Sequence, residues 1–444
     1  MITTKNIIKK FLHSVRWNTI ETVVYHSVLL THQVCLYRVA PAPIYGLAGT
    51  FFSLFYLALT VVNMGLDHAM SSFFSYAIQN KKQFKKIIGS QLAISFVMLT
   101  LTSCTFCFAQ KTFSLFLAFI IASLFITESV KKTLLVLLQL AFFNKYTTAI
   151  EVSSIVLYVG SVWIGYYSGI KFSLYLIFVP MLVYSGLSVA LLFLFVYKLY
   201  LQLPDTVFEC KKVNSSTKNI VVTRLWTWVN QVSHSIFSSN FLVPLFAYQF
   251  GLTYAGILKL ISTISHSVTS IIRKIGGITS SALFASTKTE DQVVWQKSFL
   301  AVTSTINQIL YGIIIFFSIN CIKILAIKHI PLSGLSVSLV YFFMMITLSE
   351  SLFVSYESFL ITHEYAHYVA FFNLITMGAI YITYAITRLG PLQTIVLLLA
   401  IRIITFCILS FFTFYQWQLR PSWHIKPAWL VYAIAASLVF FIFA

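Results

Sequence analysis

Three cationic side chains, Lys259, His266 and Arg273, recur every seventh residue in the segment 219–286. Seven residues make nearly two turns of α-helix, so the three share one face, about 20 Å long. A charge at membrane depth costs about 2.5–3.5 kcal/mol and usually faces protein or a wet cavity. The spacing therefore predicts a cationic path for an anion. In the alternative, Lys259 and Arg273 extend to the two membrane interfaces, as we expect for Lys274.

The preceding stretch carries a polar stripe at helical spacing. Its members are Arg224, Gln231, Ser235 and Ser238, with Asn230 and His234 beside them. Polar side chains in a membrane helix either hold neighbouring helices together or line a wet cavity that can bind sugar hydroxyls. Their concentration on one helix favours the cavity.

Carboxylates form the second set of candidate functional residues. Glu350 and Glu357 lie seven residues apart on one predicted helical face, and Glu21 and Asp67 lie in the first two predicted spans. A carboxylate withdrawn from water readily takes up a proton or coordinates Na⁺, so these four are candidate ion-coupling residues. The alternative for Glu350 or Glu357 is a structural ion pair with Arg402.

The segment His363-Glu364-Tyr365-Ala366-His367 has the HExxH spacing, which places two histidines on one helical face beside a glutamate base for zinc hydrolysis. The motif falls at a predicted turn and has no obvious third ligand other than the distant His424. We therefore predict no metal site here, and keep an integral-membrane zinc protease as an alternative.

The elements that must position these residues are membrane helices. The 444 residues are 59% hydrophobic and only 9% charged, and nearly every long window contains an apolar run of spanning length. Continuous apolar runs exclude a β-barrel, whose strands alternate. The net charge of +19 is read as a topology signal, not as nucleic-acid binding.

The apolar runs predict an all-α polytopic membrane protein with about twelve or thirteen transmembrane helices, among them spans at about 172–202, 219–248, 366–387 and 391–418. A polar linker at 203–218 separates an N-terminal six-helix lobe, 1–202, from a C-terminal one, 219–418, and 419–444 adds a further apolar segment. Clustered lysines in alternate loops place the N-terminus and this linker in the cytoplasm. We expect a monomer.

The halves share short motifs, which predicts parallel repeats with a site between them. SVRWNTIE, with Arg16, matches VTRLWTWVNQ, with Arg224, and Tyr45-Gly46-Leu47 matches Phe250-Gly251-Leu252. Both arginines then enter the cytoplasmic end of the first helix of their half.

The chain resembles the polysaccharide (lipid-linked oligosaccharide, O-antigen-type) flippases of the multidrug/oligosaccharidyl-lipid/polysaccharide exporter superfamily. The resemblance rests on YGLAGTFFSLFYLALTVVNMGLDHAMSSFFSYA, on NFLVPLFAYQFGLTYAGILKLISTIS and on the plan of two halves. Asn63 stands where the family often has an acid before Gly65, Asn240 replaces a common acid, and Ile257-Leu258 replace the usual tyrosine. These replacements weigh against an inherited ion-coupling site.

The resemblance implies two six-helix lobes around a central cavity, alternating access, and an undecaprenyl-diphosphate-linked sugar as cargo. In this interpretation Arg16 and Arg224 capture the diphosphate, and Lys259, His266 and Arg273 line its route, because arginine and lysine both bind phosphate. Gln231 would contact the sugar.

We expect no enzymatic activity and no cofactor, with a proton or sodium gradient as the energy source. The expected location is the bacterial cytoplasmic (inner) membrane, with polysaccharide polymerase and chain-length proteins as candidate partners. A drug or metabolite exporter of the same superfamily is the main alternative.

Overall fold

The computed structural model describes residues 4–63, 115–204, 217–235, 237–273, 365–386 and 391–417, together with scattered residues between 70 and 100 and between 300 and 361. The described ranges form ten long or medium helices. These are α1 (Thr4–Val39), α2 (Ala42–Val62), α3 (Leu115–Leu140), α4 (Asn144–Tyr167), α5 (Leu174–Leu201), α6 (Thr217–Ser235), α7 (Ser239–Phe250), α8 (Leu252–Arg273), α9 (Ala366–Ile386) and α10 (Pro391–Trp417).

Four stretches within these helices are long and apolar enough to cross a membrane. They are Ala42–Val61, Asn144–Tyr167, Leu174–Leu201 and Gln393–Thr413. A helix satisfies its own backbone hydrogen bonds, which is why apolar runs of this length become helices in lipid. The chain is thus a multi-pass membrane protein, and α1, α6 and α8, with their polar side chains, do not reach the same apolarity.

Packing divides the described helices into two groups. In the first half, α3 and α4 pack against α5, and α1 packs against α4. In the second half, α6 packs against α9, α7 against α8, and α9 against α10. The two groups meet where α2 contacts α6, α7 and α8, and where α1 contacts α8.

The two groups approach each other closely at the glycines of α2 and α8. A Cβ added to Gly46 would lie 1.9 Å from the carbonyl oxygen of Leu252, and one added to Gly256 would lie 3.3 Å from the Cα of Gly46. Small residues let membrane helices approach this closely. The two motifs that the sequence aligned as repeats, around Gly46 and Gly251, therefore lie beside each other.

The predicted single span at 219–248 is wrong in one respect, because the helix breaks between Ser235 and Ser239. Ser235 donates its hydroxyl to the carbonyl of Val232, and Ser238 donates to the carbonyl of Ser235. Hydrogen bonds from side chains to the backbone compete with the backbone hydrogen bonds of a helix. Ser238 then adopts an extended conformation, with ψ of 153°, as the N-cap of α7.

Candidate functional site between the two lobes

Two cavities open where α1, α2 and α8 meet, with volumes of about 310 and 150 Å³. They share Tyr25, Leu29, Tyr56, Lys259 and Thr263 as lining residues, so they form one divided chamber. We call the two parts the larger and the smaller cavity. The chamber draws its walls from both halves of the chain.

Lys259 is the cation common to both cavities. Its ammonium donates a hydrogen bond to Ser53 Oγ of α2 at 3.3 Å, and a Cβ on Gly49 would lie 2.9 Å from its Cγ. Gly49 thus provides the space for the lysine stem. No carboxylate in the described part of the chain forms an ion pair with Lys259.

His266 lies on the same side of α8 as Lys259 and lines the larger cavity. Its ring meets the ring of His26 edge to face, with centroids 5.4 Å apart. His26 belongs to α1, so the pair joins the two halves of the molecule. The start of α7 completes this wall, since Ser238, Ser239 and Asn240 also line the larger cavity.

The smaller cavity extends into the first half and is lined by tyrosines. Tyr25, Tyr56, Tyr158 and Tyr184 surround it, together with Glu128, Lys131, Ser154 and Ser185. The hydroxyls of Ser161 and Tyr184 lie 2.8 Å apart, and Ser185 donates to the Glu128 carboxylate. Aromatic faces edged by hydroxyls can accommodate a sugar ring.

A buried ion pair forms part of this tyrosine-lined wall. Lys131 lies inside α3 and lines the smaller cavity. Its Nζ lies 3.0 Å from Glu151 Oε1, and both residues are buried. The charge of Lys131 is thereby compensated by Glu151, unlike that of Lys259.

Of the remaining predicted substrate-binding residues, Arg16, Arg224 and Gln231 do not line the two cavities. Arg16 is exposed on α1, and Gln231 is partly buried on α6. Arg224 is buried and donates from Nη2 to the carbonyl of Asn63 at 3.1 Å. Arg273 ends α8, and its side chain lies outside the described residues. Their roles stay predictions.

The two predicted ion-coupling acids that the structure describes, Glu21 and Glu357, lie in separate places. Glu21 is buried on α1 and accepts a hydrogen bond from Thr148 Oγ1 at 3.3 Å. Glu357 lies 3.9 Å from His234 Nε2, whose ring in turn bonds to Arg402. Asp67 and Glu350 lie outside the described residues.

Of the HExxH motif, the structure describes the final residues only. His367 is exposed on α9 and stacks obliquely on Tyr368, with centroids 4.2 Å apart; His363 and Glu364 lie outside the described residues. Within the described ranges, no three His, Cys, Asp or Glu side chains assemble into a metal site.

Sequence reasoning missed the tyrosines and His26. The chain has 24 tyrosines spread over its length, and the sequence alone does not distinguish the four that line the chamber. His26 lies far in sequence from His266. The signal in the sequence that could have identified His26 is its polarity inside the predicted first span.

No protein-family model and no curated protein matches the chain, whereas solved MATE transporters share its fold. An outward-facing multidrug resistance MATE family transporter of the MOP superfamily has a TM-score of 0.64 at 12% identity, covering 92% of this chain and 96% of that one. A mutant of the Vibrio cholerae MATE transporter VcmN has a TM-score of 0.62 at 11% sequence identity, covering 93% of this chain and 97% of that one. An inward-facing multidrug resistance MATE family transporter has a TM-score of 0.54 at 13% sequence identity, covering 88% of this chain and 94% of that one.

At these identities the likeness concerns the fold. It confirms the predicted all-α polytopic architecture with two helical lobes, and the described helices agree with it. The chamber found between α1, α2 and α8 is therefore a cavity between two lobes of a transporter-type fold.

Proposed function

We propose that this protein is a secondary-active flippase, which moves a lipid-diphosphate-linked oligosaccharide across the bacterial cytoplasmic membrane by alternating access of its two lobes. The proposal places the N-terminus in the cytoplasm and the protein in cell-surface polysaccharide synthesis. Its energy source would be a proton or sodium gradient, with Glu21 and Glu357 as the acids of the described set that could carry it.

One observation carries the proposal: Lys259 stands in the interlobe chamber with a serine hydroxyl, and no carboxylate of the described residues, as its partner. A lysine at this depth costs several kcal/mol. At an effective dielectric constant of about 20, the attraction between the ammonium and a unit negative charge about 4 Å away contributes about 4 kcal/mol. A diphosphate supplies at least two such charges, so an anionic cargo offsets the cost.

The smaller cavity suits the other part of this cargo. Tyr25, Tyr56, Tyr158 and Tyr184 present rings and hydroxyls, which bind the apolar faces and the hydroxyls of sugars. The lipid chain of such a cargo would remain in the bilayer, since burying its methylene groups in protein gains nothing over lipid.

The test in cells is removal of the protein, followed by a leaflet-resolved assay of lipid-linked sugars. We expect the sugars to accumulate on the cytoplasmic face, and wild-type protein but not Lys259→Gln to relieve this. Lys171→Gln, at an exposed lysine in the turn before α5, is the matched control. Sugars that reach the outer face unhindered in the deletion would refute the proposal.

The second candidate is export of a drug or metabolite, which Glu128 in the wall of the smaller cavity favours. A cationic drug needs an acid, so its export would depend on Glu128 and would improve when Lys259 is neutralised. A flippase predicts the reverse dependence on Lys259. The double substitution His363→Ala and His367→Ala distinguishes a zinc protease from a flippase. It would abolish the activity of a protease, whereas a flippase would keep its activity.

A further inference from the structure

We infer that the larger cavity is the diphosphate subsite, and that it is built around the N-terminus of α7, with Lys259 and His266 of one lobe and His26 of the other. The inference deepens the proposed function, on which it rests. It assigns the anion to one part of the chamber and leaves the smaller cavity to the sugar.

The break between α6 and α7 is the first element of this subsite. It creates a helix N-terminus whose first residues, Ser239 and Asn240, line the larger cavity. Ser238 makes no side-chain cap, because its hydroxyl donates to the Ser235 carbonyl at 2.6 Å instead. The first-turn amides and the positive end of the helix dipole therefore favour a bound anion.

The opposite walls point to the same ligand independently. Lys259 brings an ammonium with no carboxylate partner among the described residues, and His26 and His266 bring two ring N–H donors whose rings lie 5.4 Å apart. Among the described residues that line the larger cavity there is neither aspartate nor glutamate. The carboxylate Glu128 lines the smaller cavity instead.

Asn240 has a particular place in this arrangement. It lies in the first turn of α7 on the wall of the larger cavity. An aspartate there would repel a diphosphate, whereas the asparagine amide can donate to it. The substitution Asn240→Asp therefore adds a single negative charge, with little change in volume, at the proposed subsite.

The experiment measures binding of inorganic pyrophosphate, and separately of farnesyl diphosphate, to the purified full-length protein in lipid nanodiscs by calorimetry. Asn240→Asp, Lys259→Gln and the double change His26→Gln with His266→Gln should each weaken binding about tenfold or more, as expected from losing one charge-assisted hydrogen bond. Asn240→Ser and Lys259→Arg should retain most of it, and Lys171→Gln should retain all of it. Melting temperatures identify any variant that fails to fold. If Asn240→Asp fails, Asn240→Leu, which removes the amide donor, takes its place and should likewise weaken binding.

The two ligands separate the possible sources of the anion. Binding of both, each sensitive to Asn240→Asp, supports recognition of the diphosphate itself; binding of farnesyl diphosphate alone, with the same sensitivity, supports a lipid headgroup. Absence of binding of either, or binding that is indifferent to Asn240→Asp and Lys259→Gln, overturns the inference.

Transport assays on the same proteins keep the two claims apart. If wild type moves lipid-linked sugar and Asn240→Asp binds and moves it equally well, the subsite is wrong and the flippase stands. If wild type binds pyrophosphate through Asn240 and Lys259 but moves no lipid-linked sugar, the subsite stands and the flippase is wrong.

Discussion

Single charged residues in this protein fall into two classes, according to whether a carboxylate accompanies them. Lys131 is paired with Glu151 at 3.0 Å, and Arg402 belongs to a cluster with His234 and Glu357. Lys259 instead lines the chamber with the Ser53 hydroxyl as its partner. We expect the first class to stabilise the lobes and the second to bind a ligand.

The Lys131–Glu151 pair gives a test of stability. Breaking a buried pair leaves one charge uncompensated and typically costs about 3–5 kcal/mol, whereas removing both partners costs much less. Lys131→Met should therefore lower the melting temperature strongly, and adding Glu151→Leu should recover part of the loss. Lys145→Met, at an exposed site, is the control; an unchanged melting temperature for Lys131→Met would contradict the structural role.

Arg402 gives a second test, because its guanidinium is held between two aromatic rings. Its Cζ lies 3.6 Å from the ring centre of Phe353 and 4.7 Å from that of Phe237. Lysine lacks the planar group that stacks here, and a desolvated contact of this kind contributes about 2 kcal/mol. Arg402→Lys should lower the melting temperature, whereas Arg38→Lys, at an exposed position, should not; equal melting temperatures would show that the stacking is not stabilising.

The residues that sequence alone could identify were those on a single helix. Lys259 and His266 share a face because of their spacing, and the structure places both on the chamber. His26 and the tyrosines could not be assigned, because their approach to α8 depends on helices distant in sequence. The short sequence match between Arg16 and Arg224 likewise did not indicate that Arg16 is exposed and Arg224 buried.

At the scale of the helices, α2 connects the two lobes at two levels. Near its start, Gly46 touches Leu252 of α8, and near its end, the carbonyls of Val61 and Asn63 accept bonds from Trp228 and Arg224 of α6. These levels are about 25 Å apart along the helix. Phe52 and Tyr56 of α2, which line the chamber, lie between these two levels.

The contact at Gly46 is open to a direct test. Gly46→Ala would place a methyl group 1.9 Å from the Leu252 carbonyl, so α2 and α8 must separate. Spin labels at the exposed positions Ala42 and Thr253 should report a longer distance in the variant than in wild type.

Gly186→Ala serves as the control for that measurement, because a Cβ there meets nothing within 4 Å. Its distance distribution should match that of wild type. If Gly46→Ala also leaves the distribution unchanged, the close crossing of α2 and α8 does not hold the lobes together in the membrane.

The elements themselves were predictable to different degrees. Long apolar runs predicted α5, α9 and α10 to within about two residues at each end. The break between α6 and α7 was not predicted, because Ser235 and Ser238 were interpreted as members of a polar stripe on one continuous helix. Their type alone does not show that the serine hydroxyls bond to the backbone and interrupt the helix. This break supplies the helix N-terminus on the cavity wall.

At the scale of the whole molecule, the two lobes enclose a chamber whose charge is unevenly distributed. Lys259, Tyr25 and Tyr56 line both cavities. The histidine pair lines the larger cavity only, whereas Tyr158, Tyr184, Glu128 and Lys131 line the smaller one only. Such a chamber would orient a cargo that has an anionic end and a polar, uncharged end. Because His26 and His266 come from different lobes, a bound anion would also draw the lobes together.

The most direct measurement uses liposomes that contain the purified protein and a lipid-diphosphate-linked oligosaccharide with a fluorescent sugar. An impermeant reductant added outside destroys the fluorescence of sugars in the outer leaflet only. With wild-type protein and an ion gradient we predict continued loss of fluorescence as inner-leaflet lipid crosses, with Lys171→Gln equal to wild type and Lys259→Gln close to protein-free liposomes. A rate for wild type no faster than that of protein-free liposomes, or an equal rate for Lys259→Gln, would contradict the account.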